Sequence, residues 1–334
     1  MKNVFVTSNP HNGKVPSDFS NPRTEFAWAY YLNAEFIRWD RFEEIKGYDN
    51  VFCILPKQQV IRDTDGKASI PAEKDPQLAM FYKAVEQLKE NNKHIIWIQE
   101  GPVWYFQNYS IEDQFWYLQM LPLFDMFLAH DEKSEMWFRG IAPPGIPVHI
   151  LPSTMIMEGR KDPLPYEDRS GTLVGGNFAW WHGGLNSFLI AKVLEGQGPI
   201  EAPRMHTFYE KEGIIDGLNH LEYMALNDWL ENFRKYKYAV HMMPVVGAGS
   251  FSLNAVYAGV PCIGSHDIPT QKELFPGLSF DPDNLYYAKE AMLALTDPEV
   301  WRHTVEQSWD LFLTSLYNPV NWTEYMKEIL TEAK

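Results

Sequence analysis

The sequence predicts an α/β protein made of two Rossmann-like, doubly wound domains. Three observations carry this. Short apolar runs alternate with stretches of helical periodicity along most of the chain. Runs such as Val4–Thr7, Asn50–Leu55 and His94–Ile98 are apolar nearly throughout rather than at every second position, which marks strands buried on both faces of a parallel sheet. The alternation is interrupted once, by the polar, proline-bearing stretch Met157–Ser170 (MEGRKDPLPYEDRS), and then restarts. A length of 334 residues agrees, at about 150 residues per domain.

In chain order, Val4–Thr7 (VFVT) reads as a strand ending in a loop from Ser8 to Gly13. Thr24–Phe36 reads as a helix and Asn50–Leu55 as the next strand. Asp75–Glu90 sets Leu78, Met80, Phe81, Ala84, Val85 and Leu88 at helical spacing. Asp75-Pro76 supplies an N-cap followed by Pro at the first helical position. His94–Ile98 (HIIWI) is a strand, and Ser110 with Asp113 three residues on opens a helix over Ile111–Leu121. Met126–Ala129 and Val148–Leu151 are further strands. This places one domain over 1–156 and a linker over 157–170.

The second series begins with the strand Thr172–Val174, which ends in Gly175-Gly176. A helix over Leu185–Glu195, a strand over Arg204–Tyr209 and a helix over Asp228–Tyr236, with Asn227 as N-cap, follow. Ala239–Met243 is a strand, Val246–Ser250 a glycine-bearing loop, Phe251–Ala258 a helix and Cys262–Gly264 a strand. Leu285–Leu295 and Pro298–Leu316 are helices, and Trp322–Glu332 is a terminal helix after the Asn318-Pro319 break. The second domain spans 171–317.

Composition excludes several classes. With 45% hydrophobic and 22% charged residues, the chain is neither disordered nor collagen-like. Aromatic residues at 15% suit apolar clefts as well as a large core. Lys+Arg 29 against Asp+Glu 44 gives a net charge of −15, which opposes general binding to nucleic acid or to an anionic membrane. Cys53 and Cys262 sit in the apolar runs VFCIL and VPCIG and read as buried, reduced thiols. No apolar run approaches the roughly 18 residues of a membrane span, and the N-terminal one is too short for a signal peptide; a cytoplasmic protein is expected. No HExxH, Walker loop, GxSxG or convincing DxD pair occurs, and no metal is expected.

The segment with chemical content is Val240–Phe280. A strand delivers the chain to Gly247-Ala248-Gly249-Ser250, where glycines let backbone amides approach a ligand. Ser250 is the expected N-cap of the helix that follows. A helix N-terminus offers unpaired N–H groups and the positive end of the dipole, which suits a diphosphate. The helix stops at Gly259, and Pro261 leads into the next strand. The same pattern also reads as an ordinary helix-to-strand connection in any doubly wound domain.

Leu253–Ile263 (LNAVYAGVPCI) resembles the donor-site signature of GT-B glycosyltransferases, especially the group-1 (family 4) class. That signature runs as a Glu, a Gly-Phe-Gly-like loop and Leu-Glu-Ala-Met-Ala-x-Gly-x-Pro-Val-Ile. Glu273 with Pro276-Gly277 falls at its Glu-x-x-x-x-Gly turn, and Phe280–Asn284 at its Pro-x-Asp. Asp228-Trp229-Leu230 with Lys237–Val240 resembles its short helix and next strand, and Gly175-Gly176-Asn177 lies where it has Val-Gly-Arg. The resemblance covers most of 170–316. It implies GT-B architecture, with two Rossmann-like domains facing each other across a cleft, and helix 318–334 returning to brace the first domain. It further implies a nucleotide-sugar donor, UDP-sugar above all, held by the second domain with no other cofactor.

The resemblance and the strand–loop–helix pattern together make Gly176, Asn177, His182, Arg204, His241, Gly249, Ser250, Phe251, Ser252, Asn254 and Glu273 the candidate donor-binding residues. There are departures. The paired glutamates of the class fall at Val246 and Asn254, leaving Asn254, Ser250 or Ser252 for the hydroxyls. Gly176 replaces the arginine that grips the diphosphate, leaving His182 or Arg204 to supply the charge.

In the first domain, Glu100 follows the strand HIIWI and precedes Gly101-Pro102. A carboxylate at a strand's carboxyl end is placed for a site, and burial by Trp104, Tyr105 and Phe106 would raise its pKa toward general-base use. His130 is the second catalytic candidate. His11, Gly13, Trp104 and Asp131 are candidates on the acceptor side. Each has a plain structural alternative: a loop carboxylate capping an amide, a packed histidine. The first domain also loosely resembles glycosyltransferase-like proteins of tailed bacteriophages, on Gln99–Tyr105 and Glu112–Trp116. The acceptor is then a glycan, lipid-linked group or small molecule, or alternatively modified DNA. The missing carboxylates also leave open a non-catalytic protein that binds nucleotide-sugar.

Overall fold

The computed structural model describes residues 2–7, 13–14, 24–54, 85–91, 93–99, 103, 111–176, 178, 180–204, 215–222 and 224–332. They form two compact units, one drawn from Met1–Pro16, Glu25–Pro152 and Thr323–Lys334, the other chiefly from Ser153–Trp322.

The first unit contains β1 (Asn3–Thr7), β2 (Gly13–Lys14), α1 (Thr24–Tyr31), β3 (Glu35–Arg38), β4 (Asn50–Ile54), β5 (His94–Ile98), α2 (Ile111–Met120), β6 (Met126–Ala129), α3 (Glu132–Ile141) and β7 (Val148–Ile150). The sheet order is β2-β3-β1-β4-β5-β6-β7. All pairs are parallel except β2 with β3. The chain runs outward on one side of β1 and returns on the other, so the order reverses between β1 and β4. The all-apolar strands are sealed on both faces: Val4, Phe5, Val6, Val51, Phe52, Ile95, Ile96, Trp97 and Ile98 are all fully buried. Register pairs Phe5 with Phe52, and their rings stack at 4.8 Å. Trp97 anchors one face, edge-on to Phe124 at 4.8 Å.

Several boundaries differ from the sequence expectation. The helix expected over Thr24–Phe36 stops at Tyr31. Asn33 turns the chain at φ 47, and Glu35–Arg38 becomes β3. Asn tolerates that left-handed region, and a four-residue strand is too short to show its own period. Of the helix expected at Asp75–Glu90, residues 85–90 are described and helical, and Ser110 lies outside the described residues. Helix α3 was not expected. Asp131 opens it by accepting from the Ser134 amide at 3.0 Å and the Ser134 hydroxyl at 2.6 Å.

The second unit contains β8 (Thr172–Val174), α4 (Gly184–Ala191), β9 (Ile200–Pro203), β10 (Asn219–Leu221), α5 (Leu226–Phe233), β11 (Tyr238–His241), α6 (Ser250–Ala258), β12 (Cys262–Ser265), α7 (Pro269–Leu274), β13 (Ser279–Phe280), α8 (Leu285–Ala294) and α9 (Pro298–Thr314). The order is β10-β9-β8-β11-β12-β13, parallel throughout. It reverses between β8 and β11. The core joins Leu230 and Phe233 of α5, Val240 of β11, Leu253 and Val256 of α6, Ile263 of β12 and Phe312 of α9. Strand β9 at Ile200–Pro203 was not expected, and of the strand expected at Arg204–Tyr209 residues 205–209 lie outside the described residues. Elements β10, α7 and β13 were not expected; they are edge strands and a short helix with little apolar signal. Ala225, not Asn227, precedes the first turn of α5.

The stretch 157–170, expected as a linker, packs as part of this unit. Buried Arg169 donates to the carbonyls of Leu164 at 2.8 Å, Tyr236 at 3.3 Å and Ala258 at 3.1 Å. Burial, and the nearby Arg234, push its pKa down to about 10. The final helix α10 (Pro319–Glu332) carries Tyr325, whose hydroxyl donates to Ile150 O at 2.8 Å. Both cysteines are buried and unpaired, and burial pushes both thiols up. Among the described residues no helix is long and apolar enough to cross a membrane.

Replacing Arg169 by Met leaves three carbonyls short of a donor. A loss of about 2–4 kcal/mol is expected, read as a lower urea midpoint at unchanged slope.

Candidate functional site

In open parallel sheets, ligands bind beyond the carboxyl ends of the strands where the order reverses. In the second unit that point lies between β8 and β11. Gly175 and Gly176 follow β8, and His241 ends β11. The Gly175 amide donates to Val240 O at 2.8 Å. A Cβ on Gly175 would stand 2.8 Å from the His241 ring, and one on Gly176 would stand 3.2 Å from His241 Nε2. The turn therefore lies directly against the imidazole. Gly183 opens α4 at φ 64, and a Cβ there would lie 1.9 Å from Met242 O. Ser187 of α4 accepts the Met242 amide through its hydroxyl at 2.8 Å. These contacts fasten the β8–α4 turn to the end of β11.

The loop from β11 to α6 is held by its carbonyls. The Ser153 hydroxyl donates to Ala248 O, and Thr270 Oγ1 donates to Gly249 O at 2.9 Å. Gly249 takes φ 69 to enter the helix. Ser250, expected as the cap, is instead the first helical residue and is exposed. Helical geometry gives the amides of Ser250, Phe251 and Ser252 no acceptor within α6; the Leu253 amide bonds back to Gly249 O at 3.3 Å. The carbonyls of Ala248 and Gly249 are thus engaged within the unit, while the helix start, exposed at Ser250 and buried at Phe251 and Ser252, offers donors and the positive dipole end.

His241 joins the two turns. Its ring meets Phe251, at the start of α6, edge-on at 5.1 Å. The residue as a whole is partly exposed, but Nε2 is closed to solvent and has no hydrogen-bond partner. Burial, with a smaller contribution from His182, pushes its pKa down to about 3. The imidazole is neutral at ordinary pH.

Gly176, His182, His241, Gly249, Ser250 and Phe251 are therefore gathered around this switch point. Other expected donor residues are engaged elsewhere. Ser252 is buried and donates to Gln271 Oε1 at 2.8 Å. Asn254, in the amide orientation its neighbours dictate, accepts from Trp229 Nε1 at 2.9 Å and donates to Ser250 O at 3.3 Å. Both side chains brace α6 rather than face a sugar. Arg204 pairs with Glu222 at 2.9 Å on the surface. Glu273 lies on α7; although much of it meets solvent, partial desolvation raises its carboxyl pKa, against a hydrogen bond with Tyr317 that lowers it. Asn177 lies outside the described residues. Sequence reading missed Ser153, Ser187 and Thr270, single hydroxyl residues whose partners are 95, 55 and 21 positions away.

In the first unit, Thr7, Gln99 and His130 are buried polar residues at or just beyond the carboxyl ends of β1, β5 and β6. The His130 ring lies 5.0 Å from that of Trp28. The Asp131 carboxylate is used as the cap of α3. Gly13, expected in a loop, pairs with Phe36 in β2. His11, Glu100 and Trp104 lie outside the described residues. Among the described residues no three His, Cys, Asp or Glu side chains group as a metal site. A cavity of about 220 Å³ lies between α7 and α9, lined by Leu274, Leu278, Leu295 and Thr304 among others, and none of the expected site residues lines it.

No protein-family model matches the sequence, and no curated protein matches it. Solved structures do match. HepE of Anabaena, in complex with UDP-glucose, aligns over 99% of this chain and 100% of its own at 10% identity and TM-score 0.68. The trehalose-6-phosphate synthase OtsA aligns over 99% of each chain at 10% identity and TM-score 0.65. Sucrose-phosphate synthase of Thermosynechococcus elongatus aligns over 99% of each at 14% identity and TM-score 0.63. The likeness defines the fold: the chain has the two-domain, Rossmann-like architecture of the GT-B glycosyltransferases.

His241 titrates far below an unfolded histidine, so between about pH 3 and 6.5 the unfolded chain binds a proton that the folded chain does not. Stability is therefore expected to fall as pH drops below about 6.5, by up to about 1.4 kcal/mol per unit from this group. His241→Gln should flatten that part of the curve in urea unfolding followed from about pH 7 to 4.

Proposed function

We propose that the protein is a glycosyltransferase that moves a sugar from a nucleotide-sugar, UDP-sugar above all, to an acceptor hydroxyl. The observation that carries the reading is the start of α6, exposed at Ser250, beside the β8–β11 switch point, with the Ala248 and Gly249 carbonyls bonded within the unit and the first helical amides left without an acceptor in α6. The diphosphate rests against those amides and the Gly176 turn. As the bond from the sugar's anomeric carbon to the diphosphate breaks, negative charge grows on the leaving group, where fixed dipoles stabilise it most. The solved structures of HepE with UDP and with UDP-glucose support the choice of donor. The group-1 (family 4) class suits the signature at Leu253–Ile263.

On the acceptor side the first unit supplies Glu100 as the proposed general base, with His130 as the alternative. A glycan, lipid-linked group or small molecule fits best. Modified DNA, the acceptor a bacteriophage origin would favour, is opposed by the net charge of −15. We place the protein in the cytoplasm, where nucleotide-sugars are at hand. A second reading, a binding protein without transfer, is favoured by Val246 and by the engagement of Asn254, where the class carries carboxylates.

UDP is expected to raise the melting temperature in proportion to its occupancy; no rise with any nucleoside diphosphate overturns the reading. Release of sugar from UDP-sugar separates an enzyme from a binding protein. Ser250→Asp puts a carboxylate at the positive end of α6, so it should leave the free protein as stable or up to about 1 kcal/mol more stable. The same charge should weaken UDP binding at least about tenfold by like-charge repulsion, measured by calorimetry. Glu100→Gln should cut transfer about 10²–10⁴-fold while UDP binding survives; unchanged transfer removes Glu100 as the base.

A further inference from the structure

The diphosphate site poses an electrostatic problem that the reading above leaves open. The class it resembles grips the diphosphate with an arginine, and Gly176 stands at that position. Arg204, the other cation expected there, is committed to Glu222. What the structure does bring to the Gly176 turn is an imidazole. Nε2 of His241 lies 3.2 Å from where a Gly176 Cβ would stand, is closed to solvent, and has no hydrogen-bond partner. The ring also meets Phe251 at the start of α6, at 5.1 Å between centroids. One side chain thus borders both of the elements that the diphosphate would meet.

We propose that His241 is an inducible cation: neutral in the free protein, it takes up a proton when a nucleoside diphosphate docks against the Gly176 turn and the N-terminus of α6. The proton comes from solvent, and the imidazole becomes imidazolium; no bond to the nucleotide forms or breaks. This rests on the reading of the second unit as a nucleotide-sugar site.

The physical ground is a change in the sign of the local field. In the free protein, burial disfavours the charged ring and His182, from the β8–α4 turn, opposes it further. Phe251 from α6 and the Gly175-Gly176 backbone also border the ring, and neither titrates. A docked diphosphate supplies negative charge on the same side and favours the protonated ring. By linkage, whatever raises the proton's affinity for the ring raises the nucleotide's affinity for the site.

The test is calorimetric titration with UDP-glucose near pH 6.5 in two buffers of different ionisation enthalpy. UDP-glucose is chosen over UDP because its pyrophosphate is doubly esterified, whereas a terminal phosphate itself titrates at about pH 6. The wild-type protein is expected to take up a measurable fraction of a proton, approaching one as pH falls. Its dissociation constant should rise by up to about tenfold per pH unit on going to alkaline pH. H241Q should bind UDP-glucose more weakly, with no proton uptake and a flat pH profile, and H182Q should keep the uptake. Wild-type binding with equal heats in both buffers overturns the proposal, as does uptake that survives in H241Q and vanishes in H182Q. Absence of UDP-glucose binding at every pH overturns the nucleotide-sugar reading itself, and this proposal with it.

Discussion

The second unit depends on how closely two backbone segments approach at one point. The turn after β8 and the end of β11 come together so tightly that a methyl group at Gly183 would sit 1.9 Å from the Met242 carbonyl. No rotamer change relieves a contact with backbone, and the φ of 64 at that residue adds a cost of about 1–2 kcal/mol for any side chain. With glycine there, α4 can start immediately beneath the strand end, and Ser187 can take the Met242 amide. Everything that characterises the switch point follows: the imidazole lies under Gly176, the loop to α6 starts from a fixed anchor, and the amides of α6 stand at a defined place.

The same economy governs the loop itself. Two carbonyls, of Ala248 and Gly249, are satisfied by hydroxyls from Ser153 and Thr270. An unpaired buried carbonyl would cost about 1–3 kcal/mol, so these bonds fix which way the peptide planes face. Peptide planes have two ends. Turning the acceptors into the unit turns the matching donors away from it, and the helix start adds amides that geometry leaves unpaired. A loop pinned by its carbonyls is thus compatible with a site made of amides, and it removes much of the ordering entropy that a free glycine loop would lose on binding.

How much of this was legible in the sequence depends on the range of the interaction. Strands β5, β6 and β8 stand where the apolar runs put them, because a strand sealed on both faces writes its burial into consecutive residues. The end of α6 at Gly259 was legible for a similar reason, since the signal is local. Strand β3 and helix α3 were not. The first is four residues long, and the second is announced only by Asp131, which read equally well as a loop carboxylate. The stretch 157–170 looked like a linker from its polarity, yet Arg169 ties it to carbonyls 67 and 89 positions away. At the switch point, the positions of Gly249 and His241 were legible from the strand–loop–helix pattern. The engagement of Ser252 with Gln271 and of Asn254 with Trp229 was not, because a hydroxyl or amide in a sequence carries no sign of where its partner lies.

The departures from the glycosyltransferase signature form one pattern. Val246 and Asn254 remove two negative charges from the places where the class has carboxylates, and Gly176 removes a positive one. A site with fixed cations can tolerate fixed anions beside them, since each partly neutralises the other. A site without the arginine cannot, because a carboxylate near the diphosphate would then act unopposed, at about 4 kcal/mol for unit charges 4 Å apart near a protein surface. Loss of the acidic groups and loss of the basic group are therefore consistent with each other: on the proposed reading, attraction is left to neutral dipoles at α6 and to a histidine whose charge depends on the ligand. In a chain of net charge −15 that arrangement has a further consequence. On the proposed reading, positive charge on His241 arises only when an anion is there to stabilise it.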